Sequence, residues 1–227
     1  MSTRESAIYN EMLIDLDLVS WTSGNVSISD GKNLYIKPSG VLFKDVHSGN
    51  IATVDIETGE HTRGSKPSTD TESHRVIYNL KPDIRCVIHT HSTFATAFAA
   101  CGMDIPVYLT AMADEFGDKI PCSNYAEIGG EEIGYEVCKY VDPTGIVLLR
   151  NHGVFTVGKD AKSAMKKAVM VEDIAKTTYY AIKLSETQFS LLPHPVTLTE
   201  KQIKSCYDRY QGTYGQNSTN RWHDYWY

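Results

Sequence analysis

Apolar residues recur at two different spacings along the chain, and each spacing predicts a type of element. The first apolar residues follow one another at helical intervals, and they are Ile8, Met12, Leu13 and Leu16. Between residues 21 and 63, short β-prone runs alternate with Gly, Asn, Ser and Pro, which is typical of strands joined by tight turns. Residues 161–182 keep one apolar stripe and predict a long amphipathic helix, and residues 198–210 predict a last helix.

The middle of the chain alternates predicted helices and strands less regularly. A helix over residues 71–80 precedes the strand "RCVIHTH", and the Ala-rich helix that follows has Ser92 as a plausible N-cap. The runs "IPVYLT" and "GIVLLR" predict two further strands. Because several N-terminal strands have no helix between them, the pattern favours one α/β domain with a mixed or antiparallel central sheet over a doubly wound parallel sheet.

Composition narrows the class of protein. The 227 residues are enough for a substantial core, and the net charge of −6 argues against a general nucleic-acid binder. The five cysteines are odd in number and scattered, with no CxxC pair, which suits a reducing cytosol. No run approaches the roughly 18 apolar residues of a membrane span, and the N-terminus has no continuous apolar core. We therefore expect a soluble, cytoplasmic protein without a membrane partner.

The stretch "VIHTHSTF" places two histidines two residues apart at the end of a predicted strand. Side chains at this spacing point to the same face, so His89 and His91 can converge on one ion, although such a pair is also compatible with core or surface histidines. His152 follows another apolar strand, with Gly153 allowing a tight turn. Three neutral imidazoles with an open fourth position are typical of catalytic zinc. The other histidines are expected at the surface, and they are His47, His61, His74, His194 and His223.

Three short turns could hold an anion: "SGN" at 23–25, "PSG" at 38–40 and "PST" at 67–69. Small residues let backbone N–H groups approach an anion, and hydroxyl groups add donors. Each turn taken singly is compatible with a plain turn. Beside a metal site, the three together indicate a phosphate pocket, provided that they meet in the fold.

Five motifs in this order give the chain a family resemblance: "SGNVS", "KPSG", "KPSTDTESH", "VIHTHS" and "NHGVFTVGK". Together they resemble the zinc-dependent class II sugar-phosphate aldolases and the L-ribulose-5-phosphate 4-epimerases, over about residues 5–216. The resemblance implies a single α/β/α domain with a mainly antiparallel central sheet, spanning residues 1–227 with 216–227 as a C-terminal tail. It also implies a homotetramer with active sites between subunits and a phosphorylated sugar as substrate.

The resemblance further implies a role for individual residues. Zn²⁺ would be held by His89, His91 and His152. The substrate phosphate would lie in the three turns, on Gly24, Asn25, Ser39, Gly40, Ser68 and Thr69. Asp70 would sit beside the zinc, and Tyr214 would donate a proton. Proton transfer at the C4 hydroxyl and Lewis-acid catalysis would then break or form the C3–C4 bond of a ketose phosphate. A helix N-cap is an alternative role for Asp70.

The choice between aldolase and epimerase stays open in the sequence. Asp70 and the segment "LTAMADEFGDKIPC" are epimerase-like, and there Asp114 would be the second acid/base, or else a solvated loop acid. The segments "IPCSNYAEIGG" and "TLTEKQIKSCYDRYQGTYG" resemble aldolases, and the C-terminal histidine of the epimerases is missing near Ile203. We expect an aldolase of the L-fuculose-1-phosphate type that forms dihydroxyacetone phosphate and an aldehyde. A 4-epimerase is the alternative, before a decarboxylase or a non-catalytic scaffold that has lost its zinc ligands.

Overall fold

The structure is a computed structural model that describes residues 2–186 and 193–214, without the side chains of residues 213 and 214. The predicted tail at 216–227 lies outside the described residues, so the domain boundary stays a prediction. No helix in the described ranges combines the length and the apolar character that a membrane span requires.

Seven strands of the described chain form one sheet in the order β4-β3-β2-β1-β5-β7-β6, and neighbouring strands run antiparallel throughout. The strands are β1 (Asn25–Ser29), β2 (Asn33–Ile36), β3 (Ala52–Asp55), β4 (His61–Arg63), β5 (Cys86–Thr90), β6 (Ile146–Leu149) and β7 (Gly153–Gly158). The predicted antiparallel sheet is therefore confirmed. The strand expected at "IPVYLT" is wrong, because Ile105 makes only an isolated bridge to Ile120, and Pro106 has no N–H for a ladder.

Helices cover both faces of this sheet. They are α1 (Ser2–Asp15), α2 (Thr71–Leu80), α3 (Thr93–Cys101), α4 (Thr110–Phe116), α5 (Glu132–Tyr140), α6 (Ala161–Ser185) and α7 (Glu200–Arg209), with a short 3-10 helix at Phe43–Asp45 and a π-helical turn at Tyr210–Tyr214. Successive strand residues point to opposite faces. Val87 and Phe155 accordingly pack with residues of α2 and α5, whereas Ile88 packs with α1 and α6 and Val154 with α3 and α6. The result is the expected three-layer α/β/α domain.

The central strands set up the site through their register. Asn25 of β1 lies opposite His89 of β5, and His89 lies opposite Phe155 of β7. The first predicted turn and the first predicted metal ligand are therefore neighbours across one strand pair.

Candidate metal and phosphate site

Three imidazoles meet at one end of the central strands. His89 lies in β5, His91 follows the last residue of that strand, and His152 lies in the turn between β6 and β7. One nitrogen from each ring lies within 4.8 Å of the others. The Nε2 atoms of His89 and His91 are 2.9 Å apart, and the ring centroids of His89 and His152 are 4.8 Å apart. The structure thus brings together the three histidines that the sequence predicted to converge.

Close backbone packing makes this convergence possible. A Cβ atom at Gly153 would lie 2.5 Å from the carbonyl oxygen of Thr90 and 3.1 Å from Cε1 of His89, so a larger residue would push the turn away from β5. Nδ1 of His89 lies 3.1 Å from the carbonyl oxygen of Val154. A backbone partner at one ring nitrogen orients the ring and leaves the other nitrogen as a ligand.

The donor set fits a divalent transition metal. Burial lowers the pKa of His89 to about 3, and it also lowers the pKa of His91 and of His152. The three rings are therefore neutral near pH 7, as metal ligation requires. Nδ1 of His152 is buried and has no hydrogen-bond partner in the described part of the chain. Neutral imidazole nitrogens with an unpartnered buried atom among them suit zinc and similar ions.

The first of the three predicted turns packs directly against His89. Gly24 has φ +85°, and a Cβ atom there would lie 2.7 Å from the carbonyl oxygen of His89. Only glycine adopts this conformation readily and allows so close an approach. The amide of the next residue, Asn25, donates through Nδ2 to Oγ of Ser68 over 3.2 Å. The first turn is thereby tied to the third.

The second and third turns are paired with each other. Pro38 and Pro67 form an isolated antiparallel bridge, the N–H of Ser39 donates to the carbonyl of Lys66 over 2.9 Å, and the N–H of Ser68 donates to the carbonyl of Lys37 over 3.2 Å. A cleft of about 620 Å³ results. Its lining contains the three histidines, Asp70 and all six residues predicted for the phosphate, which are Gly24, Asn25, Ser39, Gly40, Ser68 and Thr69.

Asp70 lies between the turns and the imidazoles. It occupies the position before α2, yet its side chain makes no capping hydrogen bond. Instead, its Oδ2 accepts a 2.6 Å hydrogen bond from Nδ2 of Asn25. Burial works against ionisation, but the nearby imidazoles of His89 and His74 and the Asn25 amide hold the pKa of Asp70 below its ordinary value. Asp70 therefore presents a carboxylate to the cleft at neutral pH.

Sequence reasoning missed Lys37. Its side chain is only 2% exposed, and its Nζ donates to the carbonyl of Thr22 over 3.2 Å and lies 4.6 Å from the Phe43 ring centre. Burial lowers its pKa to about 8, although Asp70 opposes the shift. The position of this lysine directly before the second turn was the one feature of the sequence that could have indicated a role in the site.

His74 is buried, so the prediction that it lies at the surface is wrong. It shares the inner face of α2 with Ile77 and Tyr78, at spacings of three and four residues. Nδ1 of His74 lies 2.7 Å from Oγ of Ser27, and Nε2 has no partner within the described ranges. His47, His61 and His194 are exposed as expected, whereas His223 lies outside the described residues.

Among the described residues, Asp114 is not part of this cleft. Asp114 lies on α4 and is absent from the cleft lining, and its carboxylate is paired with Arg209 instead. The side chain of Tyr214 lies outside the described residues. Ile128 and Gly129 also line the cleft, and sequence reasoning did not select them as site residues.

Comparison with known proteins shows what this arrangement resembles. Residues 4–179 match the family described as Class II Aldolase and Adducin N-terminal domain. L-ribulose-5-phosphate 4-epimerase UlaF of Salmonella paratyphi C is 37% identical over 177 residues, covering 72% of this chain and 78% of that protein. The 5-methylthioribulose-1-phosphate/5-deoxyribulose-1-phosphate aldolase of Rhodospirillum rubrum is 32% identical over 205 residues, covering 89% of this chain and 87% of that protein.

Solved structures agree with these relatives. An L-fuculose 1-phosphate aldolase superposes with a TM-score of 0.83 at 27% identity, covering 92% of this chain and 96% of that one. The expected resemblance is confirmed. The chain is therefore an enzyme of the class II aldolase family.

Proposed function

We propose that this enzyme reversibly cleaves a ketose 1-phosphate of the L-fuculose 1-phosphate type into dihydroxyacetone phosphate and an aldehyde. The observation that carries the proposal is the cleft in which three neutral imidazoles adjoin the three turns that the sequence predicts to bind an anion. A ketose phosphate needs both parts, since its carbonyl requires an electrophile and its phosphate requires a cradle of donors. The proposed ion is Zn²⁺, held by His89, His91 and His152.

The chain's own residues prepare the metal end of the cleft. When bound, the metal supplies Lewis-acid polarisation of the ketose oxygens. His89 is oriented by the Val154 carbonyl, and the low pKa values of the three rings keep their lone pairs free. Three ligands leave a coordination position for the substrate.

The phosphate end combines small turns with one buried cation. Gly24 and Gly40 have positive φ angles of 85° and 70°, which turn the chain tightly around the space between them. The N–H groups of Ser39 and Ser68 join the second and third turns, and both residues line the cleft. The hydroxyl group of Ser68 also accepts hydrogen bonds from Nδ2 of Asn25 and from the N–H of Asp70. Lys37 would supply positive charge, because a pKa of about 8 leaves it mainly protonated at pH 7.

Proton transfer is assigned to two groups. Asp70 lines the cleft beside the imidazoles and is ionised at neutral pH. In the condensation direction its carboxylate would accept the proton from the carbon that becomes C3 of the ketose, and in cleavage the protonated form of Asp70 would return that proton to C3. Tyr214 would exchange the proton of the C4 hydroxyl, which must leave as the C3–C4 bond breaks. The proposal includes the homotetramer implied by the family resemblance, with active sites between subunits.

The extent of similarity favours the aldolase. A match covering 89% of the chain includes about 202 of its 227 residues, so the similarity to the R. rubrum aldolase extends at least to α7. The match to the 4-epimerase covers 72%. The C-terminal segment, which resembles aldolases in sequence, lies beyond the family match that ends at residue 179.

The second candidate is the 4-epimerase. The higher identity of 37% to that enzyme favours it, as does aspartate rather than glutamate at position 70. Both candidates begin with the same bond cleavage. They differ in whether the aldehyde fragment leaves or is turned over and rejoined.

One experiment separates the candidates. The purified enzyme with Zn²⁺ is incubated with L-fuculose 1-phosphate, 5-deoxyribulose 1-phosphate or L-ribulose 5-phosphate. Dihydroxyacetone phosphate is followed by a coupled reductase assay, and inversion at C4 is followed by NMR. We expect release from a 1-phosphate, abolished in His152→Ala. Inversion of L-ribulose 5-phosphate without release from any 1-phosphate would establish the epimerase instead.

A further inference from the structure

We infer that Glu172, on α6, is a positioning residue for the metal site, because its carboxylate fixes the chain segment that carries His91. The inference rests on the proposed metal site. Glu172 lies 81 positions after His91 in the sequence, and none of the family motifs quoted above contains it. Its effect would pass through the backbone of α3 and not through contact with the metal or the substrate.

Glu172 caps a helix to which it does not belong. The N–H of Phe94 donates to Oε1 of Glu172 over 2.9 Å, and the N–H of Ala95 donates to Oε2 over 2.9 Å. The first N–H groups of a helix have no partner inside it. Ser92 occupies the N-cap position of α3, but its side chain makes no capping bond. The carboxylate from α6 therefore replaces the expected serine cap.

This cap matters for His91 because that residue lies outside the sheet. The pairing of β5 ends at Thr90 opposite Val154 of β7 and at His89 opposite Asn25 of β1, so no strand pairing among the described residues includes His91. The helix α3 begins at Thr93, two residues later. His91 therefore lies in a short connection between the end of β5 and the start of α3. Glu172 fixes the start of α3 and thereby one end of this connection.

The neighbouring ligands do not share this dependence. His89 is inside β5 and has its Nδ1 near the carbonyl of Val154. His152 follows β6, and its N–H donates to the carbonyl of Leu149 over 3.0 Å. Loss of Glu172 should therefore release one ligand of three. Groups that orient metal ligands typically change metal affinity by about 10–100-fold when removed.

A general stabilising role is the competing explanation, since a carboxylate at a helix N-terminus stabilises any helix. The chain offers a matched control on the same helix. Asp160 caps α6 itself, accepting from the N–H of Ser163 over 2.7 Å. It lies beyond Gly158, at the end of β7 farther from His152. Asp160→Ala removes a helix cap without touching the segment that carries His91.

The test compares wild type with Glu172→Ala, Glu172→Gln and Asp160→Ala. Metal dissociation constants are measured by competition with a chromophoric chelator, Co²⁺ absorption spectra report ligand geometry, and thermal unfolding of the metal-free chain reports stability. We expect Glu172→Ala to weaken metal binding at least about tenfold and to alter the Co²⁺ spectrum. Glu172→Gln, which keeps one acceptor oxygen, should have a smaller effect in the same direction, and Asp160→Ala should bind metal as wild type does.

The outcomes separate this inference from the proposed function. If Glu172→Ala does not fold, the metal affinity and the Co²⁺ spectrum of Glu172→Gln test the positioning role. Wild-type metal affinity and an unchanged Co²⁺ spectrum in the Glu172 variants, with only a lower melting temperature, would overturn the positioning role alone. A wild-type chain that binds no metal would overturn the metal-dependent function and this inference with it.

Discussion

Nη2 of Arg209 lies 3.2 Å from Oδ1 and 3.4 Å from Oδ2 of Asp114, which ties the end of α7 to α4. Nε2 of Gln211 adds a 3.3 Å hydrogen bond to the carbonyl oxygen of Asp114. The acid that the sequence suggested as a second acid/base is thus also an anchor for the C-terminal segment. The two roles have different consequences for activity.

Asp114→Asn discriminates between these roles. An amide retains the shape but neither the negative charge nor the proton affinity of the carboxylate. If the chain is an aldolase, we expect turnover in the release of dihydroxyacetone phosphate to fall by less than about tenfold, because general acid/base catalysis by this group is not required. A loss of about 10²–10⁴-fold would instead assign Asp114 to proton transfer and favour the epimerase. Arg209→Gln is the control, since it removes the ion pair and leaves the acid.

His152→Ala should remove the metal and leave the fold. His152 is only partly buried in the turn between β6 and β7, so its loss creates no large core cavity. Two remaining imidazoles are too few for a stable structural or catalytic site. Elemental analysis of the purified variant should find substoichiometric metal while circular dichroism stays as in wild type. His61→Ala, at an exposed histidine in β4, is the control, and stoichiometric metal in His152→Ala would refute the three-histidine site.

Lys37→Met should weaken substrate binding without destabilising the protein. Methionine preserves much of the buried stem but removes the charge proposed for the phosphate. A hydrogen bond to a charged group contributes about 1.5–3 kcal/mol, so KM for the phosphorylated ketose should rise by about 10–100-fold. The free energy of unfolding should hold or increase, because Lys37 is 2% exposed and has no carboxylate within ion-pair distance in the described chain.

Lys66 provides the matched control for this change. It precedes the third turn as Lys37 precedes the second, but its side chain is exposed. Lys66→Met should leave KM within about twofold of wild type, because a solvated charge contributes little to binding. Equal changes in both variants would show that overall charge, and not the buried position, governs affinity.

The sequence predicted which residues form the candidate site, but not the contacts that position them. Strand alternation predicted that His89 and His91 would face one ion, and the apolar strand before His152 predicted its place. The pattern could not show that Asn25 and Ser68 meet, because their proximity depends on the order of strands in the sheet. The capping role of Glu172 could not be predicted either. Its carboxylate comes from a helix distant in sequence, so nothing in the sequence around Ser92 indicates it.

His74 was missed for a different reason. Its helical spacing with Ile77 and Tyr78 predicts a buried face, but a histidine in polar sequence favours a surface assignment. The hydrogen bond between Oγ of Ser27 and Nδ1 of His74 and the contact with Phe155 are long-range and explain why burial is tolerated. Periodicity was the better guide at this position than residue type.

The buried His74 should make the metal-free protein less stable in mild acid. Burial lowers its pKa to about 4 in the folded state, against 6.5 for the unfolded chain. The unfolded state therefore binds more protons between these values, and stability falls as pH decreases from about 6.5 towards about 4. Between pH 7 and pH 5 this group alone should lower the free energy of unfolding by about 2 kcal/mol. Urea unfolding at the two pH values measures the difference.

His74→Gln tests the assignment because glutamine can hydrogen bond to Ser27 without titrating. The variant should be less stable at pH 7, owing to imperfect packing against Phe155, yet lose about 2 kcal/mol less than wild type on acidification. His61→Gln, at an exposed site, should keep the wild-type pH dependence. If His74→Gln lost as much stability as wild type between pH 7 and pH 5, protonation of other groups would account for the acid sensitivity. The measurement uses metal-free protein, because bound metal would add its own proton competition at the three ligands.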